Sequence, residues 1–285
     1  MVAMSSSHGE ITHVSDTALM VAACRGLEFE APDGFVRDPF AARLAGERGM
    51  AILNASPYPG MMRFGVAVRS RFIDELLREA MAANPVAAVL SVGCGLDTRP
   101  WRLELPPDLR WIEIDFADML DYKESLMSSE TPRCRRERLI ADVNDPEQRQ
   151  IIYSTAGAAP ALMITEGLLM YLPGGTVDAL AAEVGDQSGV SQWISDNVTT
   201  AFSKAINSDG MQFVRHVQAD DSLSGDQILD CIRSHGWVLT ARRSYMTDMA
   251  FAMPRIQRMM ANQSKPSGPP LIPPEDPSGV QLFRR

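Results

Sequence analysis

The sequence is poor in the residues that build metal and disulfide sites. Its four cysteines, Cys24, Cys94, Cys134 and Cys231, lie far apart and form no C-x-x-C pair, which argues against a disulfide framework and for a reducing compartment. The four histidines, His8, His13, His216 and His235, show no zinc-like spacing with cysteine or carboxylate, so no metal is expected. A basic excess is missing too. With 27 Lys and Arg against 36 Asp and Glu, the formal net charge is −9, and this field does not draw in nucleic acid or an anionic membrane. Long hydrophobic runs are also lacking. The most apolar early run, 18–24, is too short to cross a bilayer, and the opening MVAMSSSHGEITHVSD has neither a basic nor an apolar signal region. These absences predict a soluble, cytoplasmic chain without nucleic-acid or membrane partners; they leave its oligomeric state open.

What is present is ordinary globular material. Of 285 residues, 45% are hydrophobic and 22% charged, enough for one large α/β domain with a substantial core. Residues 15–85 read as an N-terminal helical cap. Within it, Ser15-Asp16-Thr17 is a candidate cap for a helix over 18–27, and Arg37-Asp38-Pro39-Phe40 opens another with Pro39 in its first turn. After a break at 54–60, the stretch 69–83 places Phe72, Ile73, Leu76, Leu77 and Ala80 on one helical face and stops at Asn84-Pro85.

From residue 86 strand and helix signals alternate, the pattern of a mostly parallel sheet. Strands are expected at 88–92, 110–114, 137–141, 161–165, 192–196 and 237–243, with helices over 176–184 and 223–236. Residues 86–196 form the core, 197–221 a candidate lid, and 222–285 the C-terminal part of the sheet. The Pro-rich stretch 264–278 should be extended, and 279–285 returns as a last strand or frays.

The stretch AVLSVGCGLDTRPWRL, 88–103, organises the rest. An apolar strand ending on Gly93-Cys94-Gly95 lets a ligand approach the backbone at the C-terminal edge of a sheet. About 20 residues later, WIEID ends on Asp115, where a ribose-binding carboxylate sits in nucleotide-binding α/β folds. Glu113 turns to the same strand face, so the choice between them rests on Asp115 lying at the strand's end. The loop does not complete G-x-G-x-x-G, because Thr98 replaces the last glycine. Asp97 repels a phosphate but suits an ammonium group. The pair favours an adenosine cofactor with a zwitterionic or cationic tail, S-adenosylmethionine, over NAD or FAD. Asp142, after LIA, can accept from an adenine amino group while the Val143 amide donates to the ring. Glu166 follows ALMIT at the next strand end. Gly95, Asp115, Asp142 and Glu166 are therefore expected along one rim.

In order and spacing, VLSVGCGLDTRPWRL, WIEIDFADMLDYK, LIADVND and TEGLLMYLP resemble the motifs of the leucine carboxyl methyltransferase family, including its polyketide-type carboxyl O-methyltransferases. The likeness extends over 16–172, with a further match at His235-Gly236-Trp237. It implies a Rossmann-like class I methyltransferase fold, a mostly parallel seven-stranded sheet with an N-terminal helical extension over S-adenosylmethionine. Carried over by position, it implies that Arg69 holds the cofactor's carboxylate, with Arg71 and Arg78 on the same helix as competitors for that role. It implies that Gly93 and Gly95 lie under the methionine and ribose, Asp115 binds the ribose, and Asp142 and Val143 hold the adenine. Glu166 would lie near the amine and the reacting sulfonium, and Tyr171 on the substrate side. Members acting on a protein C-terminus carry a basic residue in the first helix, where this chain has Met20, Val21 or Ala22, with Arg25 the nearest positive charge.

The reading is an O-methyltransferase for a small-molecule acceptor. A carboxylate acceptor is already ionised at neutral pH and needs no base, and no histidine lies in the motif region to serve a hydroxyl; only His216, in the candidate lid, is available. A non-catalytic cofactor-binding protein and an NAD-dependent oxidoreductase are the alternatives. Met61-Met62 and Met259-Met260 suit either an adaptable apolar pocket or plain core filling.

Overall fold

In the computed structural model the described residues are 11, 13–205, 217–261 and 275–285. Three helices come first: α1 (Val14–Glu30), α2 (Ala41–Ala55) and α3 (Pro59–Ala83). The cap of α1 is His13, not the predicted Ser15-Asp16-Thr17. The His13 imidazole accepts from the Ser15 amide, and Asp16 reaches back to the His13 amide at 3.2 Å, so Asp16 serves from inside the first turn. Pro39 precedes α2 rather than entering it, because Asp38 accepts from the Phe40 amide at 3.2 Å and holds a turn there. Helix α3 begins at Pro59, ahead of the predicted 69. A proline loses nothing at a first helical position, and the buried stripe continues upstream through Val66 and Ala67.

The strands are β1 (Ala88–Val92), β2 (Arg110–Asp115), β3 (Arg135–Ile140), β4 (Ala161–Thr165), β5 (Val190–Asn197), β6 (Val238–Ser244) and β7 (Gly279–Arg284). They form one sheet in the order β3-β2-β1-β4-β5-β7-β6, parallel except for β7, which runs antiparallel between β5 and β6. The chain end is thus a strand, and not a frayed tail. Strand β3 starts two residues before the predicted 137, since Arg135 pairs with Arg110 and the ladder continues from there. Between the strands lie α4 (Arg99–Arg102), α5 (Ala117–Met127), α6 (Pro146–Ala156), α7 (Gly174–Gln187), α8 (Thr200–Ala205), α9 (Gly225–Ser234) and α10 (Met253–Ala261). Of the candidate lid, 197–205 and 217–221 are described; 206–216, with His216, lie outside the described residues, as do 264–274 of the Pro-rich stretch and His8. No helix among the described residues is long and apolar enough to cross a membrane.

Strand alternation feeds two buried layers. Leu90, Ile112, Met163 and Trp193 face Ile152 of α6, Leu180 of α7 and Ile228 of α9. Val89, Trp111, Leu162 and Ile194 face Phe72, Ile73, Leu76 and Leu77 of α3. Each such side chain contributes on the order of 1.5–3 kcal/mol, which is why register cannot slip by one residue. A third cluster packs α1 and α2 against Leu96, Trp101 and Met119. The order places β1 between β2 and β4, so the connections reverse direction there and open a crevice at the strands' C-terminal ends.

Candidate active site

Four consecutive strand ends meet at that crevice. Gly93 and Gly95 adopt left-handed backbone, with φ of 62° and 46°. A side chain at Gly93 would also strike Leu168, 2.8 Å from where its Cβ would stand. The Gly95 amide donates to Asp115 Oδ2 at 2.7 Å, and the Phe116 amide donates to Asp115 Oδ1 at 2.8 Å. Beside it, the Ala141 amide donates to the Asp115 carbonyl at 3.2 Å, which sets Asp142 at the next strand end. Asp142 Oδ1 accepts from the Asn144 amide at 2.9 Å, while Val143 is buried. On the other side of β1, Glu166 is held by Arg69 Nε at 3.1 Å and Arg99 Nη1 at 2.8 Å. Gly95, Asp115, Asp142 and Glu166 are all half-buried.

Tertiary packing separates the residues between which the sequence left a choice. Glu113 is fully buried and ion-paired with Lys123 at 2.5 Å and Arg136 at 2.6 Å; Asp115 alone of the two reaches the rim. Of the three arginines that the sequence offered for this role, Arg69 turns to the site, Arg71 pairs with Glu75 over the Phe251 ring, and Arg78 is exposed. Tyr171 shares a side-chain hydrogen bond with Thr17, so α1 reaches over this end of the rim. Asp97 does not wait for an ammonium group. It turns inward, 3.0 Å from Arg99 Nη1, and accepts from the Arg99 amide.

Three residues at the site have no sequence signal of their own. Arg99, 1% exposed, joins Asp74, Asp97 and Glu166, at 2.7, 3.0 and 2.8 Å. Asp196, at the end of β5, accepts from the Gly167 amide at 2.6 Å and lies 3.4 Å from Arg69 Nη1. Phe116 follows Asp115 directly and keeps 40% of its surface exposed. Arg99 sits inside the motif GLDTRPWRL, and its value there is not readable without its partners.

The electrostatics divide the carboxylates. Burial pushes Glu166 and Asp97 up, but Arg99 and its fellow cations outweigh it: Glu166 ends below the ordinary range and Asp97 near about 2. For Asp115, burial prevails over the two backbone amides, and for Asp196 it prevails over Arg69; both are raised. Tyr171 is raised by burial as well.

A family model, leucine carboxyl methyltransferase, matches residues 18–185, from the helix over the glycine loop through α7. The chain belongs to the leucine carboxyl methyltransferase family. Two curated relatives carry the name "Putative S-adenosyl-L-methionine-dependent methyltransferase". That of Streptomyces avermitilis is 34% identical over 60% of this chain and 64% of its own length, and that of Saccharopolyspora erythraea is 33% identical over 70% and 72%. The matched stretch thus spans less than two thirds of the first relative. Among solved structures, a DUF574 family protein of Streptomyces avermitilis superposes with a TM-score of 0.54 at 14% identity, covering 93% of this chain and 96% of that one. A likeness at that identity concerns the fold. In this member of the leucine carboxyl methyltransferase family, Arg25 is spent on structure: it donates to Asp38 at 2.9 Å and to the Leu96 carbonyl at 2.6 Å, pinning α1 onto the glycine loop.

Proposed function

We propose that this protein transfers the methyl group of S-adenosylmethionine to an oxygen of a small-molecule acceptor. The single observation that carries the reading is the convergence of Gly95, Asp115, Asp142 and Glu166 on one rim beside Arg69. The residues fit that cofactor's charges: an arginine for its carboxylate, a glutamate for its ammonium, and a carboxylate already braced by two amides for its ribose. When bound, S-adenosylmethionine supplies a methyl group activated by a sulfonium.

The protein's part is to hold, align and exclude water. Asp115 accepts from the ribose hydroxyls, Asp142 and the Val143 amide take the adenine edge, and the exposed Phe116 ring offers a stacking face. Gly93 and Gly95 let the methionine and ribose lie on the backbone. Arg69, oriented by Glu166 and Asp196, answers the carboxylate, and Glu166 answers the amine. Tyr171, tied to α1 through Thr17, borders the acceptor. With Arg25 committed to Asp38 and Leu96, the first helix has no free basic residue among these positions for a protein C-terminus, which supports a small acceptor. A carboxylate acceptor, ionised at neutral pH, needs no base.

Mass spectrometry of the purified protein should find S-adenosylmethionine or its demethylated product, and label from the methyl group should pass to candidate carboxylic acids. Absence of both would leave neither a cofactor site nor a transferase. A hydroxyl acceptor is the second reading, and Asp196 is what favours it. This buried carboxyl, raised by burial and set beside Arg69, would serve as the base that a hydroxyl requires. Asp196→Asn decides between them: a hydroxyl acceptor loses its rate and the acid limb of its pH profile, and a carboxylate acceptor keeps a flat profile.

A further inference from the structure

Cys231 and His235 stand one helical turn apart at the C-terminal end of α9, and Asp178 of α7 reaches both. His235 Nε2 is 2.8 Å from Asp178 Oδ1, Cys231 Sγ is 3.8 Å from the same oxygen, and the three donor atoms lie within 4.8 Å of one another. The two helices that carry them are locked. Val177, Leu180 and Ala181 share a core with Ile228, Leu229 and Ile232, and Trp237 Nε1 donates to the Ala181 carbonyl at 2.9 Å.

We propose that Asp178, Cys231 and His235 form a surface site for a zinc-like divalent ion, with a fourth position open to water. Bond lengths of about 2.0–2.3 Å in a tetrahedral site put neighbouring donors roughly 3.3–3.6 Å apart. The aspartate–histidine separation then has to open by about half an ångström, the aspartate–cysteine separation to close by less, and the cysteine–histidine separation to come to about 3.5 Å from within 4.8 Å. One sulfur, one imidazole nitrogen and one carboxylate oxygen suit a borderline-soft ion and not magnesium or calcium, which take oxygen shells. A surface histidine–aspartate pair accounts for two of these groups. It does not account for the thiol turned to the same oxygen.

Among the described residues Cys24, Cys94 and Cys134 are buried, and Cys231 is the thiol that solvent reaches. Burial, with Asp178 beside it, pushes that thiol up to about 11, so the empty site keeps its proton. Binding breaks the S–H bond, forms the metal–sulfur bond and passes the proton to water, with no redox change. The pair Cys231-x-x-x-His235 matches no zinc motif by itself, and it gains meaning only because the fold brings Asp178 alongside.

The test is titration of the chelator-treated full chain with cobalt(II) and then zinc(II). The expected result is a thiolate-to-cobalt charge-transfer band saturating at one equivalent and displaced by zinc. Cys231→Ser should abolish the band, and Asp178→Asn and His235→Ala should each weaken zinc binding at least tenfold by calorimetry. Zinc should also protect Cys231 of the unsubstituted protein from a thiol reagent, a readout that needs no variant to fold. No band in the parent, a band that survives Cys231→Ser, unprotected Cys231, or an Asp178→Asn variant that binds like the parent would overturn the site.

Discussion

Arg99 donates from Nη1 to Glu166 Oε2 across 2.8 Å, tying the helix that follows the glycine loop to the carboxylate at the end of β4. Its Nε meanwhile binds Asp74 of α3 at 2.7 Å. One buried guanidinium therefore sets the spacing between the cofactor loop, the rim carboxylate and the helix that carries Arg69. Three carboxylates around one cation are tolerable in the interior only because Arg69 and Arg102 share the load.

Replacing that cation should be expensive. Arg99→Met leaves Asp97 buried without its nearest partner, and stability should fall by about 3–5 kcal/mol, the cost of breaking a buried pair from one side. Urea unfolding reads this directly. A loss under about 1 kcal/mol would mean that Arg102 and Lys123 suffice.

Asp115→Ala should weaken S-adenosylmethionine binding by about ten- to a hundredfold, since hydrogen bonds to a charged group contribute roughly 1.5–3 kcal/mol. Isothermal calorimetry measures it. Unchanged affinity would remove Asp115 from the ribose site and return Glu113 to consideration.

Phe116→Ala should cost cofactor affinity several-fold, matching about 0.5–1.5 kcal/mol for a stacking face, while Phe116→Tyr binds like the parent. If both variants bind equally, the exposed ring faces solvent to no purpose.

Acid stability should follow Asp97. Its folded pKa lies below its unfolded value, from an ordinary 3.8 to about 2. The stabilisation is complete above the unfolded value and is lost as pH falls from about 4 toward 2, by about 2 kcal/mol. Asp115 and Asp196 are raised, so they act in the opposite sense and favour the folded state as each is protonated. Urea midpoints across that window should fall more steeply for the parent than for Asp97→Asn; parallel curves would show that Asp97 is not the group responsible.

Much of the site was legible because it is backbone-determined. Gly93 and Gly95 mark a left-handed loop, and Asp115, Asp142 and Glu166 each end an apolar run, so period and punctuation locate them. Arg69 was legible only as one of three arginines on a helix, and Asp97 was misread. Its carboxylate was expected to face a ligand, and instead it faces Arg99, two residues further on, because α4 begins there and folds that side chain back beneath the loop.

The order of strands and helices, the glycine loop and the row of carboxylates at strand ends were determined by the sequence itself, because strand period and glycine conformation are local properties. Which arginine reaches Glu166, why Glu113 is withdrawn onto Lys123, how α1 is pinned over the loop through Arg25, and the meeting of Asp178 with Cys231 and His235 were decided by tertiary structure. Those pairings join residues distant along the chain, and buried charge selects its partner by proximity in space, at a cost that no local pattern records.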